Sequence, residues 1–125
     1  MSPSLSVADL QFINRVASRR FTGGEPAAMA DPSALEAALA ASAQPSGLQR
    51  PATLVAKLLR DDAFATAPMQ TALLALHCWL ASDGLSLLAP QGVLVGMVRS
   101  LAAGGDVTAF QHWLEDRTVP SASGD

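Results

Sequence analysis

The chain has 125 residues, of which 50% are apolar and only 15% charged, and its formal net charge is -3 at pH 7. A single domain of that size and composition can bury a substantial core without disulfides or a structural metal. The balance lacks the basic footprint that grips phosphate backbones, so no nucleic acid partner is expected, and a lone cysteine, Cys78, excludes a disulfide within the chain.

No run of about 18 apolar residues offers itself as a membrane span. The opening Met1-Ser2-Pro3-Ser4 lacks the basic and apolar regions of a signal peptide. These features predict a soluble, cytoplasmic protein in which Cys78 is a buried free thiol. Seven arginines against one lysine, with abundant alanine and glycine, point to a GC-rich bacterial genome.

Ser6-Val7-Ala8-Asp9 has the form of a capping box, and Leu10, Ile13 and Val16 then recur at helical spacing, which predicts a first helix over Val7 to Ser18. Asp31-Pro32 supplies a cap and a first-turn proline for a second helix running to Ser42. Pro45-Ser46-Gly47 reads as a loop, after which Pro51 opens a third helix that carries Leu54, Val55, Leu58 and Leu59 and ends between Arg60 and Phe64. Pro68, capped by Thr66, begins a fourth helix whose body, Met69 to Leu80, is apolar on nearly every face. Such a helix is expected at the centre of the fold, closed by Asp83-Gly84.

Leu85 to Leu88 is a short connector, with an extended backbone as one option. Gln91 to Ala103 forms a fifth helix ended by Gly104-Gly105, and Asp106 caps a sixth that reaches Arg117 with Val107, Phe110, Trp113 and Leu114 on one stripe. The result is an all-α fold, a single compact six-helix domain over residues 1–118 around a buried central helix, with no strand and a flexible tail at 119–125.

Several pieces of the chain then share one likeness. Thr71-Ala72-Leu73-Leu74-Ala75-Leu76, followed by Trp79-Leu80 and Asp83-Gly84-Leu85, resembles the central helix of the Fic/Doc ("death on curing", Fido-fold) family, in which a threonine closes the catalytic motif. Leu5 to Leu10 is similar to that family's opening helix, Phe21-Thr22-Gly23-Gly24 to its glycine turn, and Asp31 to Leu39 to its Asp-Pro helix. Leu101-Ala102-Ala103-Gly104-Gly105-Asp106 with Phe110 and Trp113-Leu114 resembles its closing pair of helices, although the third helix is shorter than the family's.

In that family the stretch before the threonine reads approximately H-x-F-x-[DE]-x-N-[KG]-R and transfers a nucleotidyl or phosphoryl group from a nucleotide to a protein. The resemblance implies a histidine base, an acidic magnesium ligand and phosphate clamps at a helix N-terminus. The aligned residues here are Asp62-Ala63-Phe64-Ala65-Thr66-Ala67-Pro68-Met69-Gln70-Thr71, and only Phe64 and Thr71 match. Asp62 replaces the histidine and is poorly matched to accepting a proton at neutral pH. Thr66 lacks the charge to hold a metal, Met69 and Gln70 cannot pair with phosphate, and Pro68 removes a backbone N–H from the helix end that would face the anion. No cofactor is expected, with ATP and magnesium required only if some activity survives.

What the resemblance implies is a degenerate, non-catalytic Doc-like protein of toxin–antitoxin ancestry that binds a protein partner, by analogy an antitoxin-like one. The alternatives are an active toxin working through Asp62 and a structural homodimer. Elsewhere, His77 reads as a core histidine, Trp79 and Trp113 as core anchors, His112 with Glu115 as a surface pair, and Arg15, Arg19 and Arg20 as a solvated helix end.

Overall fold

The computed structural model describes residues 5–24, 31–44 and 46–120. Helix α1 (Val7–Thr22) starts at the expected capping box: the Asp9 N–H donates to Ser6 Oγ at 3.1 Å, and the Ser6 N–H donates back to the Asp9 carboxylate at 3.0 Å. Two N–H groups that have no partner inside the helix are thereby satisfied. The helix continues a turn beyond the predicted end at Ser18, because the residue free to take the left-handed conformation that stops it is Gly23, at φ 83°.

Helix α2 (Pro32–Ser42) follows its Asp31 cap, whose carboxylate accepts from the Ser33 N–H at 3.0 Å. Helix α3 (Gln49–Arg60) opens ahead of Pro51, which falls in the first turn, where its missing N–H removes no helical bond. Helix α4 (Pro68–Ser82) is followed by strand β1 (Leu85–Leu87), helix α5 (Gln91–Ala102), helix α6 (Val107–Arg117) and strand β2 (Thr118–Pro120). The fold is predominantly all-α, and among the described residues no helix is long and apolar enough to cross a membrane.

The strands correct the sequence reading. β1 and β2 pair antiparallel, with Ser86 opposite Val119, and the Leu88 N–H donates to the Arg117 carbonyl at 2.7 Å. Val119 and Pro120 therefore belong to the folded unit, while residues 121–125 lie outside the described residues. Three-residue strands separated by two helices carry neither a period of alternation nor a hairpin turn, so the extended option at Leu85–Leu88 could not be raised to a paired strand from the sequence.

The core has two parts on opposite sides of the α3–α4 pair. Leu54 and Leu58 of α3 and Trp79 of α4 face α1 and α2, where they meet Leu10 and Leu35. Val55 of α3 and Leu76 and Leu80 of α4 face α5 and α6, where they meet Leu94, Val98, Phe110 and Leu114. Each of these large apolar side chains contributes about 1.5–3 kcal/mol by leaving water. Helix α4 is central, as its composition predicts, but not enclosed. His77 and Cys78 are both exposed, which corrects the reading of a core histidine and a buried thiol. The backbone of α5 lies closer to α3 than to α4, which leaves the His77 side of α4 open.

Candidate functional site

The stretch from Asp62 to Thr71 joins the end of α3 to the start of α4. Asp62 has a left-handed backbone, φ 50°, and its setting explains why. The Ala63 N–H donates to the Leu58 carbonyl at 3.1 Å and the Asp62 N–H to the Leu59 carbonyl at 3.4 Å. This is the six-to-one and five-to-two pattern of a Schellman motif, which needs one left-handed residue just past the helix end. Aspartate tolerates that conformation better than most side chains. Ala63 and Phe64, both buried, then turn into the core beside Leu58, while the Asp62 side chain is left in water.

The basic residues that precede Asp62 are committed elsewhere. Lys57 pairs with Asp61 at 3.0 Å. The Arg60 guanidinium crosses to α5, where Nε and Nη2 donate to the Leu101 carbonyl at 3.0 and 2.8 Å and Nη2 also to the Gly105 carbonyl at 2.6 Å. The Leu101 carbonyl belongs to the last turn of α5, which exposes acceptors that a cation satisfies well, and the Gly105 carbonyl to the link that follows the helix.

At the start of α4 the predicted Thr66 cap is replaced by Ala67, which is left-handed at φ 49° and makes no side-chain cap. An alanine in that conformation costs about 1–2 kcal/mol. Asn14 of α1 holds it there. The Asn14 Nδ2 group donates to the Thr66 carbonyl at 2.8 Å and to Thr71 Oγ1 at 3.0 Å, and Thr71 Oγ1 donates in turn to the Ala67 carbonyl at 2.7 Å. Asn14 and Thr71 are both buried, and together they clamp the peptides on either side of the strained residue. Sequence reasoning passed over Asn14, although its place between Leu10 and Ala17 on the core face of α1 marks a buried polar side chain in need of partners.

Beside this clamp a groove of about 450 Å³ opens between α4 and α5. From α4 it is lined by Gln70, Leu73, Leu74 and His77, spaced as one helical stripe, with Met69 at its start. From α5 come Gln91, Val95 and Arg99, four residues apart, and Phe21 from the last turn of α1 adds an exposed ring. Of the residues in the aligned motif, the groove thus takes Met69 and Gln70. Asp62, Thr66 and Pro68 are not part of it, and Phe64 and Thr71 are buried in the body of the fold. His77 is exposed on one side, and its partial burial against the groove lowers its pKa below the usual histidine value. Arg99 is exposed, and among the described residues it has no hydrogen-bond or ion-pair partner and no carboxylate lines the groove.

Neighbouring Cys78 has its thiol pushed up by burial, with the Asp9 carboxylate adding to the effect. Among the described residues no group of three histidine, cysteine or acidic side chains could hold a metal ion. Trp79 is buried with the Arg50 guanidinium 5.5 Å from its ring centre. Trp113 is half-buried, stacked on Phe110 at 5.9 Å with Arg117 over its ring. His112, Glu115, Arg15, Arg19 and Arg20 all lie at the surface. No protein-family model matches the chain, and comparison with the curated proteins finds no significant relative.

Proposed function

We propose that the protein is a degenerate, non-catalytic Doc-like protein that acts by binding a protein partner. The observation that carries this reading is the separation of Asp62 from the groove beside α4. The residue aligned with the family's catalytic base closes helix α3 and faces water, outside the groove that holds Met69 and Gln70. A general base must lie within hydrogen-bond reach of the proton it removes, and a phosphoryl group in transfer needs cations around it. Lys57 and Arg60, the bases nearest in sequence, are turned to Asp61 and to α5. Phe64 and Thr71, the two residues that still match the motif, do work for the fold: one fills the core and the other completes the Asn14 clamp.

Binding is the role that remains to such a scaffold, and the surface offers aromatic area for it. Phe12 on the outer side of α1 is 61% exposed, and large exposed aromatics are common anchors of protein interfaces. Two measurements test the proposal. Purified protein incubated with radiolabelled ATP, magnesium and lysate is expected to label nothing in an Asp62-dependent way, and label lost on Asp62→Ala would overturn the non-catalytic reading. A photo-crosslinking amino acid placed at position 12 in cells is expected to trap one defined heterologous protein. Trapping of a second copy alone would favour the structural homodimer instead.

A further inference from the structure

The groove between α4 and α5 has the attributes of a small-molecule site rather than a gap in packing. Its volume, about 450 Å³, falls within the range of about 300–1,000 Å³ typical of ligand pockets. Its walls are apolar in the middle, with Leu73, Leu74 and Val95, and polar at the ends, with Gln70 and Arg99 or with His77 and Gln91.

The ends can be told apart. Arg60 ties the end of α3 to the end of α5, and residues 61–67 lead from there to the start of α4. Arg99 therefore sits at the Gln70 end of the groove and Gln91 at the His77 end. Between Gln70 and His77 the α4 stripe is roughly 10 Å long, from the rise of 1.5 Å per residue.

We infer that the groove binds a small amphipathic carboxylate, its acid group held by Arg99 and Gln70 and its hydrocarbon body lying along Leu73, Leu74 and Val95. This goes beyond the binding of a protein partner and stands or falls apart from it. The charge is what selects the anion. Among the described residues Arg99 is the cation that lines the groove and no carboxylate lines it, while partial burial favours the neutral form of His77 at the far end. A guanidinium with its donors unengaged takes a carboxylate in two parallel hydrogen bonds. The length selects the body, since an extended chain of about eight to ten carbons spans the stripe. Phe21 can then close over the hydrocarbon, which would account for the placement of an exposed ring at the lip of the groove.

The test is calorimetric titration of the full-length chain with decanoate, decanol and decyltrimethylammonium below their aggregation limits, with methyl NMR shifts of Leu73, Leu74 and Val95 reporting location. Decanoate is expected to bind at one site, at least about ten-fold more tightly than decanol, with the cationic analogue not binding. Arg99→Gln is expected to weaken decanoate by about ten-fold or more, the scale of a lost charge-assisted hydrogen bond. Because Arg99 is exposed and without a partner, that variant keeps the fold and carries the charge test alone. Val95→Trp, verified as folded by circular dichroism, is expected to abolish binding by filling the groove. Equal affinity for decanoate and decanol, an indifferent Arg99→Gln, or shifts confined to other methyl groups would overturn the inference. So would an acidic helical peptide that occupies the groove while decanoate does not, and that result would leave the proposed partner-binding function intact.

Discussion

Substituting Asn14 probes how far the candidate site is held by the rest of the fold. Asn14→Ala removes hydrogen bonds of 2.8 Å to the Thr66 carbonyl and 3.0 Å to Thr71 Oγ1. Each is worth about 1 kcal/mol net, and the Thr66 carbonyl loses a donor at a further cost of about 1 kcal/mol. Alanine returns about 0.5 kcal/mol through its better helix propensity. The expected loss is about 2.5 kcal/mol, which for a domain of this size lowers Tm by roughly 10 °C. Urea denaturation followed by far-ultraviolet circular dichroism measures it directly.

Ala67→Gly supplies the second half of the experiment. In the wild-type background it is expected to stabilise by about 1 kcal/mol, because glycine takes φ 49° without a Cβ clash. If Asn14 is what keeps residue 67 left-handed, that gain shrinks once Asn14 is gone, and the double-mutant cycle shows a coupling of about 0.5–1 kcal/mol. Strict additivity, or a cost below about 1 kcal/mol for Asn14→Ala, would refute the clamp.

Three further outcomes follow from the same geometry. Asp62→Gly is expected to raise stability by about 0.5–1 kcal/mol in chemical denaturation, since the residue closes α3 in a left-handed conformation, and a loss would contradict that role. Gly105→Ala is expected to destabilise by about 1–3 kcal/mol, because a Cβ there would lie 2.8 Å from the Ser100 carbonyl oxygen at the turn that Arg60 grips; an unchanged midpoint would mean the turn opens freely. Burial holds the His77 imidazole below its ordinary pKa, so below about pH 6.5 the unfolded chain binds a proton that the folded chain refuses. Its contribution is therefore complete above that pH and is lost as the pH falls toward the lowered folded value. His77→Gln is expected to flatten this part of the midpoint-against-pH curve, and an unaltered slope would remove His77 from the account.

What the sequence made legible was whatever depends on near neighbours. The caps at Ser6, Asp31 and Asp106 announce three helix starts because a cap acts within three residues, and the stripes of α2 and α6 follow from their own periodicity. What it hid depends on tertiary placement. His77 and Cys78 sit in an apolar run and read as core, yet both are exposed, and His77 faces the groove that opens between α4 and α5. The cap of α4 could not be read from Thr66, because the conformation of Ala67 is held by a side chain from α1. The link between α3 and α4 follows from the end of one apolar stripe and the proline at the start of the next, but that Met69 and Gln70 enter a groove while Asp62 does not depends on how α4 and α5 diverge.

The pairing of β1 with β2 has a bearing on that divergence. Helix α5 behaves as a beam carried on two supports: the ribbon of Leu85–Leu87 against Thr118–Pro120 near one end, and the Arg60 grip on the last turn at the other. Between them Leu94 and Val98 seat its inner face in the core, while Val95 and Arg99 face the groove. The gap between the two helices is therefore dimensioned by residues that never touch what enters it, and a change at either support would retune the fit while leaving every lining side chain as it was.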